Sequence, residues 1–226
     1  MSIRRSLVVA GLFGVVSLVV KPASADLITN GDFQTGTLAG WTVFTTSSNG
    51  TNGVGLPAVV SFNTTGSGSS DAAHFEAGEV TFDLTPQGGG LSQTISVSAA
   101  GLYTLTEDFA AVNRADVTNG DGGTFSILID GTTVATDALG AIGPDTTLMG
   151  SFDELVNLSA GTHTIETEIT RVFQSAVIGG FPIPDQYIDN ISLIATPTPE
   201  PSSFVLFGTG ILGLADAVRR RFNQLS

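Results

Sequence analysis

The chain of 226 residues contains no cysteine, which excludes disulfide bonds, thiolate metal sites and a cysteine nucleophile. Basic residues are also scarce, since 8 lysines and arginines stand against 21 aspartates and glutamates. Between residues 22 and 218 the only basic residues are Arg114 and Arg171. So acidic a surface repels a phosphate backbone, and the composition therefore argues against a nucleic-acid partner.

The first 25 residues have the organisation of a secretory signal peptide. A basic leader with Arg4 and Arg5 precedes an apolar stretch from Leu7 to Val20, and Ala23 and Ala25 follow in an A-x-A arrangement. This order predicts a signal helix over residues 1–25, with cleavage before Asp26. The alternative is a permanent N-terminal anchor, which the short apolar run and the immediate cleavage site disfavour.

The C-terminus has a second apolar run, from Phe204 to Val218, followed at once by arginines. As a helix this run would span about 22 Å, against about 30 Å for the hydrocarbon core of a bilayer. Basic residues after an apolar helix stay on the cytoplasmic side of a membrane. The pattern predicts a short transmembrane helix that halts the tail and leaves the rest of the chain outside. The basic cluster is Arg219, Arg220 and Arg221.

The tail as a whole resembles the PEP-CTERM sorting signal. Its three parts are Pro199-Glu200-Pro201, the apolar helix and the arginine cluster, in that order, within residues 196–226. The resemblance implies an exported protein, processing by the membrane protease-transpeptidase exosortase, and release or attachment at the cell envelope, often beside exopolysaccharide production. Asp216 departs from the family pattern, whose helix is usually free of acids.

Residues 26–195 contain short strand-like runs punctuated by glycine. Apolar and polar residues alternate at period two in several of them, as half-buried strands require. We therefore predict an all-β domain, an antiparallel β-sandwich of the jelly-roll type. The runs are Leu27–Thr29, Trp41–Thr45, Ala58–Phe62, Val80–Leu84, Leu91–Ser98, Thr124–Ile129 and Tyr187–Ala195.

Three reversals of the chain are predicted from small residues and glycine. Hairpins are expected over Ile95–Thr106 and Val156–Glu166, which both read strand, small residues, glycine, strand. A third is expected at Asp130-Gly131, because this dipeptide tolerates positive φ. Gly88–Gly90 lacks the lysine of a phosphate-binding loop and is predicted to be a turn.

Three segments of this domain, two of them at its ends, carry a further resemblance: Asn30–Val43, Ala160–Ile165 and Asp185–Leu193. They resemble galactose-binding-like jelly rolls, which occur in carbohydrate-binding modules. The resemblance implies that the first and last strands lie side by side and that Asp32 and Asp189 bind a structural calcium ion. Gln34 stands where the family usually has glutamate, which weakens the site. The alternative makes Asp32 a turn former and Asp189 a hydrogen-bonding residue at a strand end.

No catalytic cluster emerges from the sequence, and we predict that the protein is not an enzyme. His74 and Glu76 share a strand face but have no identifiable third partner. Glu107 and Asp108 are adjacent and must point to opposite faces of a strand. Glu166 and Glu168 share a face with threonines, as on a wetted sheet surface.

Sugar binding usually needs an exposed aromatic ring, and the candidates here are Trp41 and Tyr187, although burial is the commoner fate in such segments. The leading hypothesis is a non-catalytic protein of the cell envelope or extracellular matrix, with exosortase and an exopolysaccharide as partners. The alternative is a carbohydrate-binding module. A third reading is a glycan-active hydrolase or lyase, which, if hydrolytic, requires two carboxylates about 5 to 9.5 Å apart in a cleft.

Overall fold

The computed structural model describes residues 25–81, 84–114, 119–173, 183–197 and 201–223, and for part of the last segment the backbone alone. Most of the predicted signal peptide lies outside these residues, including Ala23, as do Pro199 and Glu200. Ala25 is exposed directly before Asp26.

The domain is an antiparallel β-sandwich of two five-stranded sheets, as predicted. The first sheet has the order β1-β6-β11-β8-β9 and the second the order β10-β7-β12-β4-β3, while β2 and β5 form a small ribbon. The strands are β1 (Thr42–Thr45), β2 (Gly50–Thr51), β3 (Ala58–Phe62), β4 (Ser70–Phe75), β5 (Gly78–Glu79), β6 (Gln87–Val97), β7 (Gly101–Asn113), β8 (Thr124–Ile129), β9 (Thr132–Ala138), β10 (Thr146–Leu158), β11 (Gly161–Arg171) and β12 (Asp185–Ala195). The strand predicted over Val80–Leu84 is wrong where the chain is described, since Val80, Thr81 and Leu84 lie outside strands.

The core lies between the facing sides of the two sheets, where alternate residues of the long strands are buried. Phe109 of the second sheet stacks on Phe125 of the first, with ring centroids 4.6 Å apart. Phe152 completes this cluster at 4.8 Å from Phe109. The period-two pattern thus sets the buried side of each strand, and the aromatic rings join the two sheets.

Two of the predicted hairpins are corners that carry the chain from one sheet to the other. β6 and β7 belong to different sheets, and so do β10 and β11. At the first corner the Tyr103 hydroxyl donates to the carbonyl oxygen of Ala99 at 2.8 Å. The prediction failed because a short glycine-containing turn also suits a sheet-to-sheet connection. Asp130-Gly131 is a true hairpin turn, with φ of 52° and 72° between β8 and β9.

His163 connects this hairpin to the second corner. Its Nδ1 lies 2.7 Å from Oδ2 of Asp130, and its Nε2 lies 3.1 Å from the carbonyl oxygen of Ser159. Because both ring nitrogens face oxygen acceptors, the protonated ring fits best, and the hydrogen bond to Asp130 raises the pKa of His163.

The glycine triplet Gly88–Gly90 is part of β6 and not a turn. β6 lies between β1 and β11, and the backbones approach closely at this point. A Cβ atom on Gly88 or Gly90 would overlap the carbonyl oxygen of Ile169 or Thr167, respectively. Glycine is therefore required here by contact between strands.

The first and last segments of the domain lie side by side, as the resemblance implied. The amide of Leu27 donates to the carbonyl of Leu193 at 3.0 Å, and the amide of Ile191 donates to the carbonyl of Gly31 at 3.0 Å. β12 thus pairs with β7 and β4 and also holds the N-terminal segment.

A single helix is present in the described part of the chain, α1 (Pro201–Asn223), with exposed Arg219, Arg220 and Arg221 near its end. Among the described residues, no helix has the length and apolar character needed to cross a bilayer. The predicted helix is confirmed.

Candidate functional site

A polar pocket of about 480 Å³ lies between the N-terminal segment and β12. We name it the terminal pocket. The register of β12 against β7 shifts between Asp189 and Ser192, and the residues at this irregularity line the pocket. Its polar lining comprises Asp26, Asn30, Asp32, Thr106, Asn190 and Ser192.

Hydrogen bonds hold the walls of the terminal pocket in place. Oδ1 of Asp26 accepts from the backbone amides of Ile28 and Leu193, both at 2.9 Å. The Asn190 side chain donates to Oδ2 of Asp108 at 2.9 Å. Thr106 and Ser192 face each other across the β7–β12 pair on the pocket side. The pocket is thus a shaped surface rich in hydrogen-bonding groups.

Asp189 lies beside the pocket, fully buried in the outer face of the second sheet. Its Oδ2 accepts from the Ser70 hydroxyl at 2.5 Å and from the Thr64 hydroxyl at 3.5 Å, while Oδ1 accepts from the Asn190 amide at 2.7 Å. Burial raises the pKa of Asp189, although the hydrogen bonds from Ser70 and Asn190 oppose this shift. Asp189 therefore ties the β3–β4 connection to β12.

The described geometry does not provide a coordination sphere for the calcium ion that the resemblance implied. Calcium needs six to eight oxygen ligands. Asp32 is exposed, and its Oδ1 accepts from the Gln34 amide at 3.3 Å. Both oxygens of Asp189 are already bound by protein donors. These contacts are those of a turn residue and a hydrogen-bonding residue, and calcium binding by Asp32 and Asp189 stays a prediction.

Calcium at millimolar concentration is expected to leave the thermal unfolding midpoint unchanged. Asp189→Ala should destabilise the protein by about 1 to 3 kcal/mol with or without calcium, because it leaves buried donors unpaired. Calorimetry of both proteins, with calcium and with a chelator, measures this. A rise with calcium in the wild type that is lost in Asp189→Ala would establish the calcium site.

A second group of ionisable residues lies further along the same face. Nε2 of His74, on β4, is 3.1 Å from Oδ1 of Asp185, at the start of β12. Oδ2 of Asp185 is in ion-pair contact with Nη2 of Arg114. Burial raises the pKa of Asp185, but His74 and Arg114 together outweigh it, so this pKa lies below its usual value. Glu76 lies near this pair. We name the group of His74, Glu76 and Asp185 the β4–β12 cluster.

The sequence reasoning identified His74 and Glu76 but missed Asp185 as their third partner. Asp185, Tyr187 and Asp189 stand at period two in β12, so the pattern places Asp185 on the face of the other two. No sequence feature near Asp185 indicates that β4 lies beside β12.

Neither aromatic candidate for sugar binding has an open ring face. Trp41 is 9% exposed, and its Nε1 donates to the carbonyl of Asn30 at 3.0 Å. Tyr187 is 5% exposed and stacks between Phe62 and His74, at centroid distances of 3.6 and 5.0 Å. Burial raises the pKa of Tyr187 to about 12. Both rings belong to packed parts of the domain.

The remaining carboxylates lie as the strand pattern predicted, with one addition. Glu107 points into the core and Asp108 to the outer face, since their neighbours alternate between these sides. Glu166 and Glu168 lie on the outer face of the first sheet, and burial, with the charge of Glu166, raises the pKa of Glu168. The addition is that burial raises the pKa of Glu107 to about 8.

Comparison with protein families gives one match, over residues 197–221, to the model described as the PEP-CTERM protein-sorting motif. The tail carries a PEP-CTERM sorting motif. The matched range contains Pro199, Glu200 and Pro201 as well as the three arginines. The match lies within the predicted segment of residues 196–226. No curated protein matches the chain.

Solved structures similar to this chain include carbohydrate-binding modules. TmCBM61, in complex with beta-1,4-galactotriose, is 16% identical with a TM-score of 0.45, over 76% of this chain and 100% of that one. A family 35 module from Clostridium thermocellum is 15% identical with a TM-score of 0.35, over 69% and 92% of the chains. The module CBM6cm-2 from Cellvibrio mixtus lichenase 5A, in complex with cellotriose, is 18% identical with a TM-score of 0.31, over 62% and 88%.

Proposed function

We propose that the protein is a non-catalytic β-sandwich delivered to the cell envelope or extracellular matrix through its PEP-CTERM tail, where it associates with an exopolysaccharide. The observation that carries the proposal is the sorting motif at residues 197–221. Exosortase is the processing partner in this proposal. The signal-peptide pattern of residues 1–25 supplies the route of export.

Charge supports a neutral polysaccharide as the partner. The formal net charge is −13, and Arg114 and Arg171 are the only basic residues in the domain. Arg171 is buried, at 1% exposure. An acidic polysaccharide would be repelled by such a surface, whereas a neutral one would not.

The contacts of Asp26 and Asp189, at and beside the terminal pocket, support a non-catalytic role. Asp26 accepts two backbone amides, and Asp189 accepts two hydroxyls and an amide. Asp26 and Asp189 therefore stabilise the fold. A glycosidase, in contrast, needs one carboxyl group free to donate a proton and a second free to act as base or nucleophile.

The second candidate function is that of a carbohydrate-binding module, and the terminal pocket favours it. Side-chain amides, carboxylates and hydroxyls converge there, and such groups hydrogen-bond to sugar hydroxyls. The pocket volume of about 480 Å³ suits a ligand of one or two sugar rings.

A reporter fusion tests the sorting function. Residues 1–25 and 196–226 are fused to the ends of a reporter in an exosortase-positive host. The reporter should lose its tail near Pro199-Glu200-Pro201 and reach the envelope or the medium. The control fusion has these three residues replaced by alanine and should keep its tail. Equal retention of the tail by both fusions, with or without exosortase, would remove the basis of the proposal.

A glycan array tests the association with a polysaccharide. The exported protein should bind neutral glycans and leave acidic ones unbound. Thr106→Val with Ser192→Ala should weaken binding by at least about tenfold, because each lost hydrogen bond costs about 1 kcal/mol. Thr162→Val, at an exposed position in β11, is the control and should bind normally. Binding only to acidic glycans, or release of cleaved oligosaccharides, would contradict the proposal.

A further inference from the structure

The β4–β12 cluster has the arrangement of a metal site. One ligand atom each from His74, Glu76 and Asp185 can be chosen so that all three lie within 4.8 Å of one another. His74 lies in β4, Glu76 follows the end of this strand, and Asp185 begins β12, which pairs with β4 through Tyr187 and His74. Among the described residues, no other group of three potential metal ligands lies so close together.

The donor atoms define the class of ion. One imidazole nitrogen and two carboxylate oxygens suit zinc and similar divalent ions, whereas calcium prefers oxygen ligands alone. Two ligands of a tetrahedral zinc ion with bonds of about 2.0 to 2.1 Å are about 3.3 Å apart. Nε2 of His74 and Oδ1 of Asp185 are 3.1 Å apart, so this pair needs little movement. Glu76 has to close the remaining distance by rotating its side chain.

Asp185 provides a second, independent observation. Its side chain is 5% exposed, and its Oδ2 is a buried oxygen. The charge beside this oxygen is Arg114, which makes an ion-pair contact and whose own side chain is 66% exposed. A buried carboxylate whose one oxygen contacts a histidine ring and whose other oxygen contacts an exposed surface cation can exchange both contacts for a metal ion.

We propose that His74, Glu76 and Asp185 bind one zinc ion, and that Arg114 leaves Asp185 when the ion enters. The ion replaces the hydrogen bond between His74 and Asp185 and the contact with Arg114. Arg114 then turns to solvent. Three protein ligands leave one tetrahedral position for water.

Isothermal titration of the untagged full chain with zinc tests the proposal. One equivalent should bind to the wild type, and His74→Ala should weaken binding by at least about 100-fold, since losses of even outer partners of a metal site cost 10- to 100-fold. The chain has two histidines, so His163→Gln is the matched control and should bind like the wild type. Calcium should give no heat and should not compete.

Two further variants test the proposal if His74→Ala fails to fold. Glu76→Gln should weaken zinc binding while circular dichroism remains that of the wild type. Arg114→Ala should tighten zinc binding several-fold, because the ion no longer competes with the guanidinium. Absence of binding, equal binding by His74→Ala, or weaker binding by Arg114→Ala would overturn the proposal.

Discussion

Replacement of Glu107 by glutamine is expected to stabilise the protein strongly at alkaline pH and little at pH 5. Glu107 is 1% exposed, and neither carboxyl oxygen has a hydrogen-bond partner among the described residues. Burial raises its pKa from 4.5 to about 8, while the nearby Thr167 hydroxyl opposes the shift only in part. The carboxyl group is therefore protonated in the folded protein at neutral pH.

The sign of the pH dependence follows from proton binding. Between pH 4.5 and 8 the folded state retains a proton on Glu107 that the unfolded state has lost, so stability falls as pH rises. At about 1.4 kcal/mol per pKa unit, the loss reaches about 5 kcal/mol above pH 8. Glu107→Gln keeps the size of the side chain and removes the ionisable group. Its advantage over the wild type should grow by that amount from pH 4 to pH 9.

Urea denaturation at several pH values, followed by the fluorescence of Trp41, measures this difference. Asp108→Asn is the matched control, because it makes the same acid-to-amide change at the adjacent position on the outer face. If the wild type and Glu107→Gln had parallel pH profiles, or if Asp108→Asn changed the profile equally, the buried carboxyl group would not be the source.

Substitution of Gly90 by alanine is expected to be the most damaging change of a single methyl group. Gly90 is buried in β6, and an added Cβ would overlap the carbonyl oxygen of Thr167 on β11. Backbone atoms cannot move aside as a flexible side chain does, so the two strands would have to separate. We expect a loss of about 3 kcal/mol or more in the free energy of unfolding, measured by urea denaturation.

Gly101→Ala provides the comparison for that experiment. Gly101 begins β7, and no atom lies within 4 Å of the position that a Cβ would take. This variant should therefore have the stability of the wild type or slightly more, because alanine restricts the unfolded chain. Equal effects of the two substitutions would show that β6 and β11 can move apart at Gly90.

Local patterns in the sequence predicted the elements of the fold better than their pairing. Period-two alternation identified β1, β3 and most of β6. It also predicts the face of Glu107, which lies on the same side of β7 as the buried Leu105 and Phe109. The same pattern cannot distinguish a hairpin from a corner between sheets, because both present the same residues to the core. Gly88–Gly90 was assigned to a turn for a similar reason, since the need for glycine comes from the neighbouring strand.

The candidate sites were predicted only where their residues are close in the sequence. His74 and Glu76 form a local pair, but Asp185 is 111 residues from His74. The aromatic candidates were identified by residue type alone, whereas their environment decides whether a ring face is open. Asp189 was correctly associated with the N-terminal segment through a resemblance, yet its hydrogen bonds to Thr64 and Ser70 depend on the β3–β4 connection.

The central position of β12 delays completion of the fold during synthesis. This strand lies between β7 and β4 and also holds residues 26–31, the first segment of the domain to be synthesised. The second sheet therefore stays divided, with its apolar side open, until Ala195 has been added. Proteins whose paired strands are far apart in the sequence fold slowly and expose apolar surface while they fold. A chaperone that covers the nascent chain would therefore have its largest effect before β12 is synthesised.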